Sequence, residues 1–252
     1  WKARIVGDVV SFLSSDDRWD GVNREYARIY DKISSHDLNH QIVDKDYHCS
    51  EALRFASYIG DVSGLDVADI GSGRGTLLDI LSGTNAKSLF GIDISIQYLK
   101  MVSRIRGVRA IQANAERLPF REAFDVIVSS DVMEHVLNLG SFLVSMNWAL
   151  RSDGRFIVRV PYRENMLQSA VQLGVEYPFV HLRTYNRKLL VDDLERSGFS
   201  IEKIHFDGQY LTRKRHIWTR KKWKTFYEWI NKAFDLEEKF SRPHSLGIEL
   251  YK

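Results

Sequence analysis

The segment Val67-Ala68-Asp69-Ile70-Gly71-Ser72-Gly73-Arg74-Gly75 limits what this chain can fold into more than any other. An apolar run enters three glycines spaced two apart, and apolar residues then recur at Leu77, Leu78 and Leu81. That pattern reads as strand, tight turn and helix. Glycine is needed where the backbone turns sharply and a ligand must approach the place a Cβ would fill. The start of the next helix also offers N–H groups with no intrahelical partner. Alone, a GxGxG match describes an ordinary tight turn just as well, so its surroundings decide the reading.

From Leu65 onward, short apolar runs alternate with amphipathic stretches. The expected strands are Asp66–Ile70, Ser88–Ile92, Arg109–Gln112, Phe124–Ser129, Arg155–Val160, Ser200–Phe206 and, at the end, Leu246–Tyr251. The expected helices are Thr76–Leu81, Ile96–Ile105, Leu139–Leu150 and Arg187–Ser197. Several strands are apolar on both faces, as in a parallel sheet covered by helices on each side. The fold class is therefore α/β, a Rossmann-like doubly wound sheet. Before it, Tyr26, Ile29, Tyr30 and Ile33 recur at helical spacing, as do Ala52, Phe55, Ala56 and Ile59. The domain reading is a helical cap over 1–60, a ligand-binding core over 61–206, a basic aromatic helical insertion over 207–244 and a last core strand over 245–252.

Composition narrows the class. The chain has 252 residues, 44% of them hydrophobic and 27% charged, as in a globular domain. Cys49 is its one cysteine, which excludes an intrachain disulfide and a cysteine metal cage. No apolar run approaches the roughly 18 residues that span a bilayer. The expectation is a soluble cytoplasmic protein. A net charge of +3 is too small to imply a nucleic-acid partner, but its distribution is uneven. Between 211 and 226 lie Arg213, Lys214, Arg215, Arg220, Lys221, Lys222 and Lys224 among Trp218, Trp223 and Phe226, with no acid. Three readings stand: a solvated helix face, a peripheral membrane contact, or a dock for an anionic ligand. RNA is disfavoured because no known RNA module accompanies the stretch.

Three further stations follow the glycine turn in order. Asp93 ends the second core strand, where a carboxylate can accept two ribose hydroxyls. Asn114-Ala115-Glu116 follows the third, where a loop can close over an adenine. Ser130-Asp131-Val132-Met133-Glu134-His135 follows the fourth. All four stations fall at one edge of the sheet, at the point where strand order reverses and such folds bind ligands.

The ordered set resembles the class I S-adenosylmethionine-dependent methyltransferases, in particular the small-molecule group that includes ubiquinone-biosynthesis and natural-product sugar O-methyltransferases. The resemblance covers about residues 52–206. It implies a seven-stranded mixed sheet whose last strand is antiparallel, S-adenosylmethionine as cofactor and S-adenosylhomocysteine as product. Asp69 would orient the methionine amino group, with Gly71, Ser72, Gly73 and Gly75 beneath methionine and ribose. Asp93 would take the ribose hydroxyls and Ile94 would lie against the adenine. Asn114 stands where Asp is frequent and would accept from the adenine amino group, flanked by Ala115 and Glu116. Ser130 and Asp131 would lie near the sulfonium. The substrate-side loop and last long helix of that group correspond to 179–185 and 189–199.

Methyl transfer depends on alignment and desolvation, and a hydroxyl acceptor also needs a group to receive its proton. His135 is the first candidate and His181 the second, against readings in which each only orients a loop. Asp131 either positions the acceptor or caps a helix. No His, Asp or Glu grouping shows metal-ligand spacing in the sequence, so no metal is expected, and 36–40 reads as a solvated loop. Tyr26, Tyr30 and Tyr47 either form a lid over the cofactor or pack a helix onto the core. The acceptor is expected to be a small molecule methylated on O or N, such as a sugar, glycolipid or secondary metabolite. Two alternatives are carried. A nicotinamide-dependent oxidoreductase also uses a glycine turn and an acid, but Thr76 occupies the place of its third glycine. A catalytically silent S-adenosylmethionine-binding protein would keep the fold without the reaction. The chain lacks the Asn/Asp-Pro-Pro-Tyr/Phe motif of DNA amino-methylation, which excludes DNA as the partner.

Overall fold

The computed structural model describes residues 3–13, 21–40, 45–163, 181–207 and 245–251. The basic stretch over 211–226 lies outside the described residues. Nine strands form one sheet: β1 (Arg4–Val6), β2 (Val9–Ser11), β3 (Asp66–Ile70), β4 (Ser88–Asp93), β5 (Val108–Gln112), β6 (Phe124–Ser130), β7 (Leu150–Pro161), β8 (Ser200–Asp207) and β9 (Ser245–Tyr251). Their order is β1-β2-β5-β4-β3-β6-β7-β9-β8. The helices are α1 (Gly21–His40), α2 (Lys45–Ile59), α3 (Thr76–Leu81), α4 (Ile96–Val102), α5 (Leu139–Ala149) and α6 (Arg187–Arg196).

Strands β3 to β7 run parallel, and β9 inserts antiparallel between β7 and β8. The seven expected core strands are all present, with ends moved by a few residues. Alternation along each strand splits the apolar residues between the two faces. Ala68, Ile127, Phe156 and Val158 belong to one buried cluster, while Val67, Val126, Val128 and Ile157 belong to the other. Each parallel strand therefore feeds two layers, which is why successive residues at its centre are apolar.

Two local readings are corrected. The first 60 residues are not wholly helical, because β1 and β2 form a hairpin whose second strand extends the sheet edge in parallel with β5. Gly7 at φ 61° makes the turn, Val9 is buried, and the Phe12 N–H donates to the Gln112 carbonyl at 2.7 Å. Strands of three residues are too short for a period-2 signal. Residues 36–40 do not form a loop; they are the final turns of α1.

Two interior helices start on Asn caps: the Asn138 side chain accepts from the Ser141 N–H, and Asn186 accepts from the Leu189 N–H. No helix among the described residues is long and apolar enough to cross a membrane. Under the parallel strands, Phe156 is fully buried between Phe142 and Phe199, with ring centroids at 6.4 and 5.3 Å. Phe156→Ala is expected to cost about 3–5 kcal/mol of unfolding free energy, measured by urea denaturation. A loss below about 1 kcal/mol would mean that this cluster does not hold α5 and α6 to the sheet.

Candidate functional site

The glycine turn is built on the end of β4. The Gly71 and Ser72 N–H groups both donate to the Ile92 carbonyl, at 2.7 and 3.2 Å, and the Gly73 N–H donates to Asp93 Oδ2 at 2.9 Å. Gly71 has φ 72°, and a Cβ there would stand 2.3 Å from Val132 Cγ2, so the turn packs against the loop after β6. Gly73 has φ 49° and nothing lies within 4 Å of its would-be Cβ. Side-chain-free space opens at Gly73 while Gly71 is closed from behind. The two glycines thus serve opposite purposes, close packing and ligand approach.

Asp69 and Asp93 end β3 and β4 beneath this turn. Burial, with the nearby Asp93 charge, pushes the Asp69 carboxyl up to about 7. Burial also pushes Asp93 up to about 6, although the Ser95, Gly73 and Ile94 backbone groups hold its ionised form. Among the described residues neither carboxylate is ion-paired to a Lys or Arg. Two buried acids beside a backbone cradle left open at Gly73 suit a ligand that is cationic at one end and hydroxylated further along. The methionine ammonium and ribose of S-adenosylmethionine meet that description.

The remaining donor-side residues divide. The Ser72 hydroxyl has no hydrogen-bond partner, and it faces β4, 3.3 Å from the position of a Cβ on Gly91. It packs the turn onto the sheet, which leaves the backbone of Ser72 as the part of the residue that faces the loop's open side. Asn114 is buried and caps a 3-10 turn over Ala115–Arg117, accepting from the Glu116 N–H at 2.9 Å. Glu116 accepts from the Leu137 N–H at 2.7 Å, bracing the loop after β6. Ile94 and Ala115 are partly exposed at the same edge. The Ile94 carbonyl accepts from Gln112 Nε2, and Ala115 packs on the core.

Beyond β6 the acceptor side is assembled. Asp131 has φ 57°, and its carboxylate pairs with Arg159 at 2.5 Å while accepting from the Ser130 hydroxyl at 2.9 Å. Arg159 also reaches Glu51 of α2 at 3.4 Å. This chain of charges gives Asp131 and Ser130 a bracing role, and a carboxylate held by a guanidinium is a poor proton acceptor. The pairing fits the positioning alternative for Asp131 better than proton transfer. Arg159 went unrecognised in the sequence; the signal was a cation inside an otherwise apolar strand.

His135 and His181, 46 positions apart, come together edge to face with ring centroids at 4.6 Å. Glu134, 1% exposed, places Oε1 at 3.9 Å from His135 Nε2. The loop bearing His181 is fastened to this segment. The Leu182 N–H donates to the Glu134 carbonyl at 2.8 Å, and Arg183 donates to the Met133 and Val136 carbonyls at 2.7 and 2.6 Å. From above, Tyr26 donates to the His135 carbonyl at 3.0 Å and the Tyr30 ring lies edge-on to His135 at 5.8 Å. Burial pushes the Tyr26 and Tyr30 hydroxyls well above the ordinary tyrosine range. Both remain neutral donors at any working pH. The helix therefore packs onto the core and roofs the site at once; the Tyr47 side chain lies outside the described residues.

The comparisons agree with this geometry. Residues 68–158 match the methyltransferase domain family. The chain is similar to a ubiquinone biosynthesis O-methyltransferase of Rickettsia canadensis, 24% identical over 168 residues that cover 61% of this chain and 69% of that protein. It is similar also to a tRNA U34 carboxymethyltransferase of Colwellia psychrerythraea, 27% identical over 171 residues, 64% of this chain and 53% of that one. The chain spans about half the length of further ubiquinone-biosynthesis relatives. Among solved structures, a methyltransferase of Haloferax volcanii seen in complex with the Trm112 methyltransferase activator superposes with TM-score 0.65 at 15% identity. That match covers 88% of this chain and 96% of the other.

The carboxylate pair generates a prediction. The ligand-free protein binds protons at Asp69 and Asp93 more tightly than the unfolded chain does. Its stability therefore falls as pH rises from about 4 through 7. A cationic cofactor needs both groups ionised, so its affinity should weaken by about tenfold per pH unit below 7 and more steeply below 6, with protons released on binding. Asp69→Asn should raise the melting temperature of the ligand-free protein at pH 8 and lose cofactor binding. Calorimetry across pH 5.5–8 checks both, and flat affinity over that range contradicts the assignment.

Proposed function

We propose that this chain, which carries a class I S-adenosylmethionine-dependent methyltransferase domain, methylates a hydroxyl oxygen of a small-molecule acceptor. The observation that carries the choice of oxygen is the meeting of Glu134, His135 and His181 next to the glycine turn, across the Gly71–Val132 contact. An amine acceptor needs little beyond desolvation in its neutral form, whereas a hydroxyl must lose its proton as it reacts. The names of the ubiquinone-biosynthesis relatives, which are O-methyltransferases, support the same reading.

S-adenosylmethionine, when bound, supplies an electrophilic methyl group. The chain's own residues do the rest. Asp69 and Asp93 hold the charged and hydroxylated ends of the donor, and the open face of Gly73 lets the backbone come close. Tyr26 and Tyr30 exclude water above the histidines, which sharpens electrostatic interactions inside. Arg183 and the Leu182 N–H fix His181 against the Glu134–His135 segment, so the place where the acceptor loses its proton is rigid before substrate arrives. Asp131 and Arg159 hold the backbone beside it.

Incubation with labelled S-adenosylmethionine and a panel of phenols, sugars and amines tests the proposal. Methylation of hydroxylated members is expected, and His135→Ala should lower kcat by about 10²–10³ with cofactor affinity unchanged. Methyl transfer confined to amines, or unaffected by that substitution, would remove the basis for an oxygen acceptor.

A further inference from the structure

We infer that Glu134, His135 and His181 form a binding site for one divalent transition-metal ion, which holds the acceptor hydroxyl. One potential ligand atom from each of the three lies within 4.8 Å of the others. Ligand atoms around an ion with bonds of 2.0–2.2 Å stand about 3.0–3.6 Å apart, so the set closes on a cation by small side-chain rotations. The inference rests on the hydroxyl-acceptor reading for what the ion does, and on geometry alone for the ion itself.

Position and chemistry both favour it. The three side chains come from two separate segments, and backbone hydrogen bonds join those segments: Leu182 to Glu134, and Arg183 to Met133 and Val136. The main chain, independently of any ion, therefore preorganises the ligands, which lowers the entropic cost of binding. Tyr26 anchors the His135 carbonyl in the same way. Two imidazoles and one carboxylate suit zinc, cobalt, iron or manganese and are a poor match for calcium or magnesium, which prefer all-oxygen sets. Three protein ligands leave coordination positions open. Glu134 brings one negative charge, so the bound ion retains a net positive charge toward an incoming oxygen. That charge stabilises the oxyanion, so the O–H bond breaks near neutral pH, its electron pair staying on oxygen and its proton passing to solvent. In this reading the histidines act as ligands, which explains why two of them meet edge to face where a single proton acceptor would suffice.

The expectation that the chain holds no metal rested on sequence spacing. His135 and His181 are too far apart for a spacing rule, and only the fold makes them neighbours.

The test uses the full chain stripped with a chelator and titrated with cobalt(II). One equivalent should bind with visible ligand-field absorption. Glu134→Gln and His181→Ala should each weaken binding by at least about tenfold, since even losses around a ligand set cost that much. Calorimetry with S-adenosylhomocysteine and thermal unfolding show whether each variant is folded. His181 lies on a loop, so its variant serves if Glu134→Gln, at a buried position, fails to fold. No cobalt binding, or binding unchanged in a folded His181→Ala protein, overturns the inference. Hydroxyl methylation that persists in chelator also overturns it while leaving the hydroxyl acceptor standing. Stoichiometric cobalt binding with no hydroxylated substrate in the panel keeps the metal site and defeats the acceptor reading instead.

Discussion

A buried and a partly buried carboxylate, neither paired with a cation among the described residues, are the constraint on which the rest of this structure depends. Asp69 and Asp93 end adjacent strands, and burial raises both above the usual carboxylate range. Such a pair is costly to ionise in an apolar setting. The fold tolerates it because backbone N–H groups of Gly73 and Ser95 take up the Asp93 oxygens, and because the glycine turn leaves the space at Gly73 open. The turn cannot be relaxed to shield the acids. Gly71 and Ser72 are tied to the Ile92 carbonyl, and Val132 closes the turn from behind. The ligand-free protein is thus held in a form that a cation completes, as binding energy stored in unmet electrostatics requires.

Almost all of the core was legible in the sequence, and the reason is periodicity. The centres of β3, β6 and β7 are buried on both faces, so short apolar stretches mark them. The Gly-rich turn and the acid at the end of β4 were legible because their requirements are local: a backbone conformation and one side chain at a strand end. The β1–β2 hairpin was not legible. Its strands are three residues each and its edge position depends on the distant Gln112. The run at 36–40 was misread because polar residues continue a helix whose apolar stripe lies earlier, at Tyr26, Ile29, Tyr30 and Ile33.

The site divides along the same line. Donor-side residues are set by the strand they follow, and most fell where their order placed them. At Ser72 the direction of the side chain depends on Gly91 of the next strand, whose missing Cβ leaves room for the hydroxyl. Acceptor-side residues depend on tertiary meetings. Asp131 looked like a candidate for chemistry until Arg159, 28 positions later, was seen to hold its carboxylate. Arg183 had no visible role in sequence, yet its two carbonyl contacts fix the geometry of Glu134, His135 and His181 together.

This asymmetry follows from what each half must do. The donor is one molecule, so its cradle reduces to a short local code that a turn and two acids can carry. The acceptor varies, so its pocket is made by loops and flanking helices brought over a fixed edge. Two links join the halves among the described residues: the close approach of Gly71 to Val132, one residue from the Asp131–Arg159 pair and two from Glu134, and the Leu137 N–H to Glu116 hydrogen bond. A larger residue at 71 would push on that loop and so displace the acceptor-side ligands along with the cofactor turn. The glycine that first marked the fold therefore also couples the turn to the loop after β6. That coupling is a physical reason for a glycine at this position beyond the turn itself.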